Sequence, residues 1–175
     1  MLRLRSGLEF ARKVIEENEL SYQIDTLLQD VTEPLPYLDN SFDYIDARLV
    51  LHYLTEEELI INTLDQLHRV VKPGGRLFAI VRSTESHDMR RPSVVTDPET
   101  KLTTYTFTDP STGKAKTFRR FFHTEESIQG YCEDAGFRTD YVESYQEQIY
   151  VDFMRKHLAS EPDEVIELMA TKPIR

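Results

Sequence analysis

Cysteine is almost missing: Cys132 stands alone among 175 residues, which excludes an internal disulfide and leaves no second thiolate for a metal site. A reducing, intracellular compartment is the expectation, and no metal is expected. Cys132 itself falls on the apolar side of a predicted helix, where a free cysteine packs as a small hydrophobe and does not act as a nucleophile. Long apolar runs are missing too. No stretch approaches the ~20 residues that span a bilayer, and the opening MLRLRSGLEF lacks the apolar core of a secretion signal. The expectation is a cytoplasmic protein that does not bind membranes. Positive charge is also scarce: 21 Lys and Arg against 31 Asp and Glu leave a net charge of −10, which opposes nucleic acid and anionic lipid alike. The one basic run, Lys114, Lys116, Arg119 and Arg120 with Phe118, Phe121 and Phe122 interleaved, reads as a strand with one solvated face, and no nucleic-acid partner is expected.

What is present suits a single globular domain, with 39% hydrophobic and 30% charged residues. Leu8, Ala11, Val14 and Ile15 recur at helical spacing from Gly7 to Asn18. Ile24–Leu28 is a short strand candidate, and Pro34 and Pro36 make the following stretch a loop. Ser41–Val50 holds a second strand candidate. Thr55 and Glu58 form a predicted capping box ahead of a helix running to Lys72, stopped by Pro73, Gly74 and Gly75. Arg76–Val81 is almost continuously apolar, as a strand covered on both faces should be.

From Ser83 to Phe122 the composition shifts to Thr, Asp, Pro and Ser clusters around two strand-like pieces, Leu102–Thr108 and Lys116–Phe122. They read as an inserted β-hairpin, with residues 84–122 as a lid region. Thr124 then caps a helix with the stripe Ile128, Tyr131, Cys132 and Ala135, closed by Gly136. Phe137–Tyr150 and Val165–Ala170 supply two more strands, with a polar connection near Ser160–Asp163. Strands alternating with helices predict a mostly parallel α/β sheet whose last two strands run antiparallel. Ligands of such sheets sit outside the carboxyl ends of the strands, here near Asp30–Val31, Ala47–Arg48 with His52 beyond, and Arg82–Ser83.

The segments LLQDVTEPLPYLDNSFDYIDARLVLHYL, LDQLHRVVKPGGRLFAIV and FFHTEESIQGYCEDAGF together resemble the class I S-adenosylmethionine-dependent methyltransferases, from about Gly7 to Pro173. The resemblance implies a Rossmann-like methyltransferase sheet, a methyltransferase of small-molecule type and S-adenosylmethionine as cofactor. By it, Asp30 is similar to the residue that accepts a hydrogen bond from the adenine amino group, with Val31 at the ring edge. Read from the residues alone, Asp30 is a loop-capping Asp. Ala47 and Arg48 match the strand end that approaches the methionine part of the cofactor, although Arg48 also reads as a surface partner for a carboxylate. His52 stands where such enzymes often carry a histidine; it either serves catalysis or packs at a helix start. Tyr105, Phe107, Arg119 and Arg120 on the hairpin are the residues that could face a small-molecule acceptor.

Glycine is short where the family needs it. A strand ending in Asp or Glu and followed by Gly-x-Gly should come first, yet Gly7 is the only glycine before Gly74. The first βαβ unit, roughly 30 residues or more, is therefore absent. The chain is expected either to be a small-molecule methyltransferase that is complete in its gene but truncated in this chain or by a misplaced start, or to be a truncated homologue, inactive and acting as a dimerising or partner-binding scaffold. Cofactor affinity should be low, because backbone amides close on the cofactor only through such a loop. An open sheet edge that a second copy could fill, giving a homodimer, is the structural expectation.

Overall fold

Five apolar residues in a row, Leu77 to Val81, need cover on both sides, and the fold around them is a mixed α/β sheet. The computed structural model describes residues 2–90, 93–109, 112–147 and 163–174. The chain divides into two compact units, Met1–Leu35 and Pro36–Arg175.

The first unit carries helix α1, Leu2–Glu17. It stops where Glu19 takes a left-handed φ of 57°, so that the Leu20 amide donates to the Ile15 carbonyl (2.9 Å) and the Glu19 amide to that of Glu16 (3.1 Å). This is a Schellman closure without glycine. The strand expected over Ile24–Leu28 does not form. The Gln23 and Ile24 amides bond back to the Leu20 carbonyl, and no ladder partner exists for the segment among the described residues. A short apolar run becomes a strand only by pairing.

The second unit opens with β1, Phe42–Arg48, followed by a 3-10 turn at Leu51–Tyr53 and α2, Glu57–Val70. Next come β2, Val71–Arg82, a 3-10 turn at His87–Arg90, β3, Val94–Thr96, β4, Leu102–Thr108, and β5, Ala115–Phe121. Helix α3, Glu125–Asp134, β6, Arg138–Glu147, and β7, Asp163–Thr171, complete it. The main sheet has the order β1-β2-β7-β6. Only β1 and β2 are parallel, while β7 is antiparallel to both of its neighbours, so the described sheet is less parallel than its strand–helix alternation suggests. β1 has one neighbour and forms an edge among the described residues. Residues 160–162, in the expected polar connection, and 148–150 lie outside the described residues.

Helix α2 packs on β2 and α3, and α3 on β6 and β7, burying Ile60, Thr63, Leu64, Val70, Ile128 and Cys132. On the opposite face Phe78, Ile80 and Val165 form a second apolar cluster with Leu49, Tyr145 and Met169. The capping box at Thr55 is not made. Glu56 occupies the N-cap without a side-chain bond, and Glu57 and Glu58 favour that end through the helix dipole instead. The box at Thr124 is made, with Ser127 as its reciprocal partner (3.1 and 3.0 Å), and Gly136 at φ 90° closes α3.

The Pro-Gly-Gly segment has a different role from a helix stop followed by a turn. α2 ends at Val70, and the chain is already in the ladder at Val71, opposite Phe42; the next pair is Tyr44 with Arg76. Lys72–Gly75 thus bulge out against Asp43. Gly74 takes φ 80° and donates to the Lys172 carbonyl (2.8 Å), while the Lys172 amide donates to the Gly75 carbonyl (3.0 Å). A Cβ on Gly75 would lie 2.9 Å from the carbonyl oxygens of Asp43 and Lys72 and from Val71 Cγ2, so only glycine fits. The Lys172 ammonium reaches back to the carbonyls of His68 (2.8 Å) and Val71 (2.9 Å) and to Asn40 Oδ1 (2.9 Å). These bonds fix the start of the parallel pair, and with it the register that leads to the carboxyl ends of β1 and β2.

Candidate functional site

At the carboxyl end of the parallel pair Arg48 lies opposite Ile80. Leu49 then turns with φ 52°, its amide donating to the Ile80 carbonyl (2.8 Å). The chain enters the 3-10 turn, anchored by fully buried Leu51, which places buried His52 beside Tyr53, itself 56% exposed. The inserted sheet, β3-β4-β5, meets this turn through β5. Its base is clamped by the bridge between Ser83 and His123, where the His123 amide donates to the Arg82 carbonyl and the Thr84 amide to that of His123 (both 2.9 Å).

The ladder decides which hairpin residues share a face. Arg120 pairs with Thr103, and Tyr105 with Phe118 two positions along, so Arg120 and Tyr105 point the same way. The Arg120 guanidinium lies over the Tyr53 ring (4.8 Å to its centroid) and the Tyr105 ring (5.5 Å). Its Nη2 donates to the Tyr53 hydroxyl (3.3 Å). Phe118 stacks on Tyr105 at 5.6 Å. Arg119, opposite Thr104, projects from the other face and is exposed. Phe107 pairs with Lys116 in the ladder; its side chain lies outside the description.

His52 is held far from an ordinary imidazole. Burial first, then the positive charges of Arg120, Arg82 and His123, push its pKa down to about 3. It is therefore neutral at physiological pH, and a base so weak accepts a proton poorly in a transition state. Its Nδ1 has no hydrogen-bond partner among the described residues, and its ring lies 4.4 Å from that of Tyr53. His123 is fully buried with neither ring nitrogen partnered among the described residues, and burial lowers its pKa to about 4. Arg82 stands at the strand end where the sequence places ligands, whereas sequence reasoning passed over His123 and Tyr53. The available signal was a lone histidine breaking the apolar run between a strand and the helix cap at Thr124.

The other expected site residues sit differently. Ala47 is buried opposite Ala79. Arg48 pairs with Asp46 (3.1 Å) and lies 4.9 Å from the Phe78 ring centroid, so its side chain lies along the sheet. Its pKa is raised, first by the hydrogen bond to Asp46. Asp30 and Val31 belong to the first unit. There the Asp30 carboxylate caps its own turn, accepting from the Thr32 amide (3.0 Å) and hydroxyl (2.7 Å), which holds its pKa below the usual carboxylate range.

A test of fit with S-adenosylmethionine turns on the glycines. Gly7 and Gly130 lie within helices, Gly74 and Gly75 form the bulge, Gly113 lies in the hairpin connection and Gly136 ends α3. None of the six stands at a strand-to-helix turn where backbone amides could close on a cofactor. The residues of this chain do not by themselves fit the whole cofactor.

A family model described as a methyltransferase domain matches residues 5–79. The chain is 28% identical over 169 residues to a protein of Synechocystis sp. named an uncharacterized methyltransferase, covering 96% of this chain and 66% of that protein. It is 25% identical over 132 residues to a demethylmenaquinone methyltransferase of Oceanobacillus iheyensis, covering 71% of this chain and 51% of that protein. Its fold matches a crystal structure of a SAM-dependent methyltransferase from Methanosarcina mazei with a TM-score of 0.67 at 20% identity, covering 85% of this chain and 67% of the other.

Proposed function

Because the chain belongs to the class I S-adenosylmethionine-dependent methyltransferase family, we propose that it serves methyl transfer to a small-molecule acceptor in the cytoplasm, and that this chain alone holds the methyl donor weakly. The reading is carried by one contrast. Tyr53, Tyr105 and Arg120 make a wall beyond the carboxyl ends of the parallel strands, suited to an acceptor, while no glycine supports a donor on the same side. The name of the demethylmenaquinone relative favours an acceptor of low molecular weight. Methyl transfer depends on holding donor and acceptor in line, so a loosely held donor removes most of the rate.

Calorimetry of the purified chain with S-adenosylmethionine and with its demethylated product tests the donor half of this reading. Binding no tighter than millimolar is expected, and a micromolar constant for either would refute it. A second reading, an inactive homologue that works as a dimerising scaffold, draws on the edge position of β1, which pairs with one strand only among the described residues. Sedimentation equilibrium separates the two: a stable dimer without donor binding favours the scaffold, and a monomer removes it.

A further inference from the structure

The geometry points to a carboxylate on the acceptor: an organic acid with a planar apolar body, anchored by Arg120 against the rings of Tyr53 and Tyr105. This rests on the small-molecule acceptor reading and names the chemistry that the acceptor wall would recognise. Carboxylates are abundant in this chain, 31 against 21 cationic side chains, and Arg48, Arg69, Lys72, Lys116 and Arg138 each pair with one. Arg120 does not. Among the described residues its contacts are the Tyr53 hydroxyl and two aromatic faces, and its Nε is buried with no hydrogen-bond partner.

A buried donor left unmet costs free energy that a ligand oxygen would recover. The arginine fork matches a carboxylate through two parallel bonds, and the aromatic faces already hold the guanidinium in place, so little ordering remains to be done on binding. A second observation agrees on sign. At physiological pH the charges that act on His52, in the adjacent turn, are those of Arg120 and Arg82, both positive. Among the described residues, no carboxylate stands among the charges that act on it. Both histidines are neutral at physiological pH, so the local charge suits a monoanion better than a phosphate dianion. Arg119, on the far face of the hairpin, has no part in this site.

The test uses the purified full chain without methyl donor, titrated with benzoate, benzamide and inorganic phosphate and followed by calorimetry. Saturable benzoate binding is expected, with benzamide and phosphate each about tenfold weaker or worse. Arg120→Gln should lose about tenfold or more in benzoate affinity, and Arg119→Gln should match the parent chain. If Arg120→Gln does not melt cooperatively, Arg120→Lys decides the matter: it keeps the charge, loses the fork and should still weaken binding several-fold. No benzoate binding, equal binding of benzamide, tighter binding of phosphate, or undiminished binding by the decisive Arg120 variant would each overturn the assignment. Because no donor is present, these outcomes are independent of donor affinity.

Discussion

Replacing Gly75 with alanine tests whether the bulge before β2 is as tightly built as its carbonyl contacts imply. The added Cβ would lie 2.9 Å from each of three atoms, and two of these are backbone oxygens, of Asp43 and Lys72. A side chain could rotate away from such a contact, but a ladder carbonyl cannot. Overpacking of this kind costs about 1–3 kcal/mol, and the rigid neighbours place this site near the upper end, about 3 kcal/mol. With an ordinary urea m-value of about 2 kcal/mol/M, the unfolding midpoint should fall by about 1.5 M. Gly74→Ala makes a control. Its cost comes from the left-handed φ of 80°, with Ile174 Cδ1 at an unstrained 3.4 Å, so a loss of about 1–2 kcal/mol is expected. Equilibrium urea unfolding, followed by far-UV circular dichroism, ranks the two. If Gly75→Ala melts within about 0.3 M of the parent, the bulge yields easily and cannot be what fixes the β1–β2 register.

The two buried histidines predict a pH dependence. Each has an ordinary value of 6.5 when unfolded and is lowered to about 3 (His52) or about 4 (His123) when folded. As pH falls the unfolded chain takes up these protons first. Their contribution is therefore intact above about pH 6.5 and drains away from there towards 4, with a limiting slope of about 1.4 kcal/mol per pH unit for each histidine. Urea midpoints measured across that window should decline, and should decline less in His123→Phe; a flat profile from pH 6.5 to 4.5 would contradict the burial of both rings. Burial also raises the Cys132 thiol to about 12. Iodoacetamide should therefore label it only on unfolding, and rapid labelling of the native chain would mean that α3 does not pack its apolar face against α2, β6 and β7.

Local signals made much of the fold legible. The stripe of α1, the cap at Thr124, the stop at Gly136, the paired strands of the insert and the apolar run Leu77–Val81 all announce themselves within a few residues. What depended on a distant partner was not legible. Ile24–Leu28 has the composition of a strand, but no strand pairs with it among the described residues. Pro73-Gly74-Gly75 has the composition of a turn, yet Asp43 and Lys172 make it a bulge. The site divides in the same way. Tyr105, Arg119 and Arg120 could be picked out as candidates, but only the register of Thr103 with Arg120 shows which arginine meets Tyr53. His123 gains its meaning from Ser83, forty positions away in the chain.

That bridge between Ser83 and His123 makes the insert a graft. Its entry and exit are hydrogen-bonded side by side, so the chain between them can be shortened, lengthened or exchanged while β2 and α3 keep their places. Each doubling of such a closed segment costs only about 0.6 kcal/mol in closure entropy. The side chains that the insert presents and the stability of the sheet can therefore drift apart over evolutionary time, the former being rewritten while the latter is preserved.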